Sequence, residues 1–95
     1  MFSVYILASQ RNGTLYIGQT DSLSRRVYEH QQASVPGFTT RYGVKLLVYF
    51  EYFETREAAF RRERALKKWP RLWKIELIER FNPAWRDLSL DLPPE

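Results

Sequence analysis

The sequence predicts a small α+β domain in which three strands form a mainly antiparallel sheet flanked by helices. The prediction rests on the order of the segments, strand-strand-helix-strand-helix-helix, and on a hairpin signal between the first two strands. A length of 95 residues favours a single domain, and a hydrophobic content of 44% is enough to give that domain its own core.

The first two strands are predicted at residues 2–8 and 15–19, where aromatic and branched side chains are frequent. An Asn-Gly dipeptide between them is typical of a two-residue hairpin turn. Such a turn pairs Tyr5 with Thr20, and the alternation of side chains then puts Tyr5 and Tyr16 on the same face of the sheet.

A helix is predicted over residues 22–32, because side chains with capping oxygens stand directly before it. Leu23, Val27 and His30 follow the spacing of one helix face. Arg26 and His30 are four residues apart, so we expect them to lie along the same side of the helix.

The middle of the chain is predicted to form a loop followed by a strand. Residues 33–42 contain Pro36 and Gly37, which favour a loop. Residues 44–53 are the longest apolar run, and we expect this run to be the central strand of the sheet.

Two helices are predicted in the second half of the chain. The first is capped by residues 54–55 and runs to about residue 69, where Pro70 interrupts it, since proline fits best in a first turn. The second covers residues 72–81, and four of its apolar side chains are expected to be partly buried: Leu72, Ile75, Leu77 and Ile78. The Pro-rich segment 82–95 is expected to be irregular.

Composition excludes several classes of site. The chain has no cysteine, so it has no disulfide, thiolate metal site or Cys nucleophile, and with one histidine a zinc site is not expected. Residues 1–7 lack a basic leader, and no apolar run is long enough to span a bilayer. We therefore expect a cytoplasmic protein that does not bind a membrane.

Positive charge is concentrated in one stretch. The net charge is +4, yet residues 61–74 hold seven cations against one acid, Glu63. Such a block favours a polyphosphate partner such as DNA, and the alternative is a solvated helix face that aids solubility. The seven candidate nucleic-acid-binding residues are Arg61, Arg62, Arg64, Lys67, Lys68, Arg71 and Lys74.

Four further side chains, one of them the acid within this block, have both a structural and a chemical interpretation. Glu63 borders the apolar stripe of its helix, where it could form a salt bridge or bind a hard cation such as Mg²⁺. Arg26 could be a surface residue or hold a phosphate, and His30 could be structural or assist proton transfer. Tyr16 could be a packed aromatic or could position a water.

The ordered set of motifs resembles the GIY-YIG nuclease family. Tyr16-Ile17-Gly18 copies the second half of the family name, and Ser3-Val4-Tyr5 stands in the place of the first half, with Ser and Val replacing Gly and Ile. Residues 18–30 resemble the family's helix with its arginine and histidine, residues 59–67 its segment with the metal-binding glutamate, and residues 82–85 its segment with an asparagine.

The resemblance implies a three-stranded antiparallel sheet flanked by helices, spread over a domain of residues 1–86 with a tail at 87–95. It also implies hydrolysis of DNA phosphodiester bonds with one divalent cation, Mg²⁺ or Mn²⁺, and no other cofactor. By resemblance Glu63 binds the metal, Arg26 stabilises the phosphorus centre and His30 assists proton transfer. Tyr16 or Tyr5 activates water, and Asn82 supports the site.

The similar proteins are small, single-domain bacterial proteins related to the N-terminal nuclease domain of the excision-repair protein UvrC. A chain of 95 residues has no room for a separate recognition domain, so we expect a DNA structure to be recognised instead of a sequence. The alternatives are a nucleic-acid-binding domain that does not cut and a protein-interaction module that uses its aromatic surface.

Overall fold

The computed structural model describes residues 1–32, 37 and 41–92. The strands are β1 (Phe2–Ala8), β2 (Leu15–Thr20) and β3 (Leu46–Phe53), and the helices are α1 (Leu23–Gln31), α2 (Arg56–Lys68) and α3 (Arg71–Phe81). All strand pairs are antiparallel. The predicted α+β class is confirmed, while the predicted loop at residues 33–42 lies mostly outside the described residues.

The central strand is β1, because the order in the sheet is β2-β1-β3. The prediction that the apolar run of β3 would be central is wrong. Six of the seven residues of β1 are buried, whereas the second half of β3 is only partly covered. An apolar run indicates that the faces of a strand are covered by other parts of the protein. It does not indicate whether the strand has a neighbour on one edge or on both.

The register between β1 and β2 differs from the predicted register by two residues. Tyr5 pairs with Gly18, because the turn between the strands holds four residues and is closed by a hydrogen bond from the Ser9 amide to the Thr14 carbonyl. A shift of two residues preserves the alternation of side chains. The prediction that Tyr5 and Tyr16 share a face is therefore confirmed.

Both faces of the sheet are covered, and each has its own core. The even-numbered side chains of β1 pack against α2 and α3 through residues such as Ala59 and Ile78. On the other face, Tyr5 and Leu7 pack against α1 through residues such as Val27. The two tyrosines of the candidate site thus lie on the α1 side of the sheet.

The predicted helices are confirmed to within about two residues at each end. Thr55 caps α2 by accepting a hydrogen bond from the Ala58 amide at 3.2 Å, and Pro70 stands between α2 and α3. The predicted partial burial of Leu72 is wrong, since its side chain is 71% exposed in the first turn of α3. Ile78, two turns later, is buried against the sheet.

The C-terminal segment returns to the sheet instead of being wholly irregular. A short 3-10 helix, Leu88–Asp91, follows α3, and Trp85 and Leu88 are buried. Asp87 accepts a hydrogen bond from the Leu47 amide at 3.3 Å, which fastens the segment to β3. In the described part of the chain, every helix is too short or too polar to cross a bilayer.

Candidate active site

Tyr5 and His30 form the buried part of a cluster on the α1 side of the sheet. Tyr5 is 1% exposed and His30 is 4% exposed. The Tyr5 hydroxyl lies 3.2 Å from His30 Nε2, so a hydrogen bond joins the central strand to α1. The Tyr16 ring lies 6.3 Å from the Tyr5 ring and 5.4 Å from the His30 ring, measured between centroids. Three side chains chosen from the sequence therefore meet in space.

Gly18 explains how the Tyr5 ring reaches this position. A Cβ atom at Gly18 would lie 2.6 Å from the Tyr5 hydroxyl oxygen and 2.7 Å from its Cζ. The ring thus lies across the backbone of β2 at the one residue that carries no side chain. Gly18 therefore allows a close approach to the backbone of β2, and the approaching group is Tyr5.

Tyr16 occupies the more open side of the cluster. It is half-buried and lines a groove of about 320 Å³ together with Leu15, Ile17, Lys67 and Lys74. The groove runs between the edge strand β2 and the helices α2 and α3. Of the two tyrosines, Tyr16 is the one that borders a surface depression lined with cations.

Arg26 lies one helical turn before His30, on the same side of α1, as predicted. Its guanidinium is close enough to Tyr5 that a hydrogen bond between them is the main cause of the raised pKa of Arg26. A second contact, from Nη1 to Glu29 Oε1 at 3.5 Å, is long. The side chain remains 38% exposed, so the guanidinium can still meet a phosphate from solvent.

Burial determines the protonation states of Tyr5 and His30. Desolvation, with a smaller contribution from Tyr16, raises the pKa of Tyr5 to about 12, although Arg26 opposes the shift. Desolvation also lowers the pKa of His30, and the charge of Arg26 lowers it further. Both groups are therefore neutral at pH 7, and the hydrogen bond between them joins two uncharged partners.

Glu63 reaches the cluster from α2. Its side chain is only 14% exposed and pairs with Lys67 Nζ at 3.3 Å, and Lys67 lines the same groove as Tyr16. The negative charge of Glu63 is among the causes that raise the pKa of Tyr5. We infer that the carboxylate lies beside the edge of β2, on the side where Tyr16 opens to solvent.

A single carboxylate is compatible with a hard cation. Within residues 1–32, 37 and 41–92, no group of three or more His, Cys, Asp and Glu side chains could enclose a metal. Mg²⁺ commonly takes one or two carboxylates and completes its shell with water and substrate phosphate. The chemistry of Glu63 fits that kind of site, with Lys67 as the cation that a metal would have to displace.

Asn82 lies at the end of α3, where it is hydrogen-bonded to β3 and to the C-terminal segment. Its amide nitrogen donates to the Val48 carbonyl at 3.2 Å and to the Arg86 carbonyl at 2.8 Å, and its oxygen accepts from the Arg86 amide. Val48 belongs to β3, whereas Tyr16 belongs to β2 on the far side of β1. Neighbouring strands are about 4.8 Å apart, so two strand spacings separate these positions. Asn82 holds the C-terminal segment, and its predicted part in catalysis stays a prediction.

Two cations of the predicted nucleic-acid-binding block hold the fold together. Arg62 donates to Glu51 at 2.6 Å. Arg71 donates to the carbonyls of Asn12 and Gly13 at 2.7 and 2.6 Å, which fastens the start of α3 to the β1–β2 turn. Their charges are therefore less available to a phosphate than the sequence alone indicates.

The remaining cations of the block lie at the surface. Lys67 and Lys74 border the Tyr16 groove, while Arg61, Arg64 and Lys68 are exposed outside it. The fold thus divides the predicted block. Lys67 and Lys74 face the candidate site, whereas Arg62 and Arg71 bind other parts of the protein.

A second depression, of about 300 Å³, lies at the other end of α2 and was not predicted. It is lined by Gln19 of β2 and by Arg56, Glu57, Phe60 and Arg61. The sequence carries one signal for it, since Glu57, Phe60 and Arg61 recur at the spacing of one helix face. Along α2, Glu63 stands between Arg61, which lines this depression, and Lys67, which lines the groove beside Tyr16.

Comparison with known families supports the assignment of the domain. The GIY-YIG catalytic domain family matches residues 1–76. Among curated proteins, a UPF0213 protein of Clostridium perfringens is 39% identical over 75 residues, which cover 79% of this chain and 80% of that protein. A UPF0213 protein of Haloquadratum walsbyi is 38% identical over 76 residues, covering 80% of this chain and 84% of the relative.

A solved structure agrees with the fold. The solution NMR structure of a UPF0213 protein from Bacillus halodurans superimposes with a TM-score of 0.57 at 28% sequence identity, and the match covers 92% of this chain and 93% of that one. The resemblance that the motifs indicated is therefore confirmed by the family match, the curated relatives and the fold. The chain belongs to the GIY-YIG domain family, and its relatives within that family are UPF0213 proteins.

Proposed function

We propose that the protein is a metal-dependent endonuclease that hydrolyses DNA phosphodiester bonds. The observation that carries the proposal is the meeting of two phenols, a guanidinium and an imidazole on one face of the sheet, with the charge of Glu63 acting on the same Tyr5 hydroxyl. Membership of the GIY-YIG catalytic domain family supports the same chemistry.

The cations around Tyr16 place the substrate backbone. Lys67 and Lys74 line the groove beside Tyr16, so a phosphate entering it meets positive charge from two helices. Arg26 approaches from α1, where its planar guanidinium can hold two phosphate oxygens and offset the charge that grows on them during attack. The scissile phosphate would then lie between Arg26 and the groove.

Tyr16, and not Tyr5, is the better candidate to position the attacking water. Tyr5 is buried, its hydroxyl is engaged by His30, and its pKa is raised to about 12, all of which oppose a role as a base. Tyr16 borders the open groove, within reach of solvent. Tyr5 would instead fix the imidazole ring, and a neutral His30 could accept a proton during the reaction.

Glu63 is the residue that would hold the divalent cation, Mg²⁺ or Mn²⁺. When bound, such an ion would neutralise charge on the phosphate and lower the pKa of a bound water. The Lys67 ammonium, at 3.3 Å from the carboxylate, is the partner of Glu63 until then. Because the pair is solvent-accessible on the lysine side, displacing the ammonium costs little.

The finer parts of the proposal concern the natural substrate. A chain of 95 residues whose cations are mostly on two helices has contacts for a DNA backbone, which favours recognition of a branch, flap or lesion over a base sequence. On this basis, the role that we propose is DNA repair or recombination in the cytoplasm. Equal cleavage of plain and branched duplexes would contradict it.

The test is a cleavage assay on labelled linear, nicked, flapped and branched DNA with Mg²⁺, with Mn²⁺ and with EDTA. We expect Glu63→Gln and Arg26→Ala to lower the rate by at least about 100-fold. The matched controls Glu57→Gln and Arg25→Ala alter exposed neighbours of the same charge and should retain activity.

The opposite result is equally specific. If Glu63→Gln and Arg26→Ala cut as fast as their controls, the cluster is not an active site and the nuclease proposal fails. DNA binding that is salt-dependent but unaffected by EDTA and by Glu63→Gln, with no cleavage of any substrate, would show a binding domain that does not cut.

A further inference from the structure

A third depression lies along α3 and is closed at one end by Trp69, the residue that follows α2. It has a volume of about 330 Å³, and its walls are Trp69, Trp73, Glu76, Leu77 and Arg80. Trp73 is 55% exposed. Tryptophan is usually well covered in a folded protein, so a half-exposed indole beside a groove is a candidate contact surface.

The two indole rings in this groove are fixed by their contact with each other and by Arg62. The rings of Trp69 and Trp73 pack edge to face, with centroids 5.9 Å apart and an interplanar angle of 79°. The Arg62 guanidinium lies over the Trp69 ring at 5.1 Å, and Arg62 is itself fixed by Glu51 at 2.6 Å. A preorganised aromatic surface loses little conformational freedom when a ligand stacks on it.

Charge selects the class of ligand. Residues 64–75 contain both tryptophans and five cations but no acid. The acid that does line the groove, Glu76, pairs with Arg80 at 4.0 Å. A second copy of this chain would bring two cationic surfaces together, whereas a nucleotide offers a flat base and a negative phosphate at once. The groove therefore suits a nucleobase better than it suits a cationic protein surface.

The position of Trp73 relates the groove to the candidate active site. Trp73 directly precedes Lys74, and Lys74 lines the depression beside Tyr16. Successive helical residues point about 100° apart, so the two side chains face adjoining surfaces of α3. A strand whose phosphate lies at Lys74 can place a neighbouring base over Trp73.

From this arrangement we propose that Trp73, supported by Trp69, stacks on an unpaired nucleobase of a single-stranded DNA segment next to the phosphate held at Tyr16. The inference rests on the proposed DNA substrate and names its class: duplexes with an unpaired arm or gap. Base stacking is tolerant of sequence, and a paired base in a duplex cannot offer its face to the ring.

The test measures binding and not cleavage. Labelled DNA with a thymine arm and a blunt duplex of equal length are titrated in EDTA against the wild type, Trp73→Ala, Trp73→Phe and Leu72→Ala. Leu72 is the matched control, since it is the adjacent residue, is 71% exposed and does not line the groove. Circular dichroism confirms that each variant is folded.

We expect Trp73→Ala to weaken binding of the armed DNA by at least about fivefold, from the usual strength of base–aromatic stacking. Binding of the blunt duplex should stay within about twofold, because phosphate contacts carry it. Trp73→Phe should retain part of the preference, and Leu72→Ala all of it. Armed DNA should also quench tryptophan fluorescence in the wild type and much less in Trp73→Ala.

Three outcomes would overturn the inference. Equal affinities of Trp73→Ala and Leu72→Ala for armed DNA would show that the ring is not used. An equal loss for armed and blunt DNA would assign Trp73 to general duplex contact. Conversion of a wild-type dimer to a monomer by Trp73→Ala, with DNA binding unchanged, would make the groove an interface between copies. All three measurements concern binding and not cleavage, so this inference can fail while the nuclease proposal holds, and the reverse.

Discussion

Replacing Gly18 with alanine tests whether the gap opposite Tyr5 holds the candidate site together. The new Cβ would lie 2.6 Å from the Tyr5 hydroxyl oxygen and must move apart from it by about 0.8 Å to reach the 3.4 Å of ordinary contact. The hydrogen bond from Tyr5 to His30 is 3.2 Å long, so a movement of that size breaks it or forces the two groups together.

The expected loss of stability follows from three terms. Overpacking a buried position costs about 1–3 kcal/mol, and losing one buried hydrogen bond costs about 1 kcal/mol. Alanine recovers about 0.5–1 kcal/mol over glycine within a strand. The net loss is about 2 kcal/mol, which lowers the melting temperature of a domain of this size by about 8–16 °C. A displacement of the ring near 1 Å should also lower the cleavage rate by about 100-fold.

The assay is thermal unfolding followed by circular dichroism, with cleavage measured on the folded variant. Gly13→Ala is the control, because its added Cβ would also clash, with Ser9 Oγ, but in the β1–β2 turn and not beside Tyr5. Ser9 Oγ accepts a hydrogen bond from the Thr14 amide at 3.0 Å, so we expect that variant to lose about 1–2 kcal/mol and, once folded, to cut at the wild-type rate. In a Tyr5→Leu background, Gly18→Ala should cost little, which gives a coupling energy of about 1–3 kcal/mol.

Refutation would be simple to recognise. If Gly18→Ala melts within about 2 °C of the wild type and cuts at the same rate, the ring is not wedged across β2. If the loss in the Tyr5→Leu background is as large as in the wild type, the cost arises from another neighbour, such as the Tyr16 ring edge at 3.1 Å from the added Cβ.

Substitutions at His30, Asn82 and the two neighbouring arginines of α2 test other parts of the structure. Burial lowers the pKa of His30, so the unfolded chain takes up the proton first, and stability should fall as the pH drops from 6.5 toward the folded pKa, by at most about 1.4 kcal/mol per pH unit. Urea unfolding at several pH values checks this, and the dependence should flatten in His30→Gln. Asn82→Ala removes hydrogen bonds to two carbonyls and should lower the unfolding free energy by about 2–3 kcal/mol. The protein that remains folded should still cleave DNA. Loss of cleavage in a fully folded variant would instead support a catalytic role for Asn82. Arg61→Ala should lower the salt dependence of DNA binding by about one ion. Arg62→Ala should leave the salt dependence unchanged and destabilise the fold, because Glu51 already binds that guanidinium. An equal salt dependence in both variants would contradict this difference.

The sequence determined the local structure and the local geometry of the site. Thr55 marks the start of α2 and Pro70 its end, since capping and the missing proline amide act within a few residues. The spacing of Arg26 and His30 places both on one side of α1 because four residues make about one turn. Side-chain alternation likewise put Tyr5 on the face of Tyr16, although the register was wrong, since a shift of two residues does not change the face.

Only the tertiary structure decided the strand order, which tyrosine is buried and which cations are free. Each of these depends on contacts between distant parts of the chain, which no local pattern reports. Arg71 is bound to the carbonyl of Asn12, 59 residues away, and this contact removes a charge that the sequence had assigned to DNA. Tyr5 is buried because Gly18 pairs with it across β1 and β2, so its pKa and its place in the site come from a neighbour in space. Burial and pairing are properties of the packed chain, and they set the chemistry of side chains whose identity the sequence alone provides.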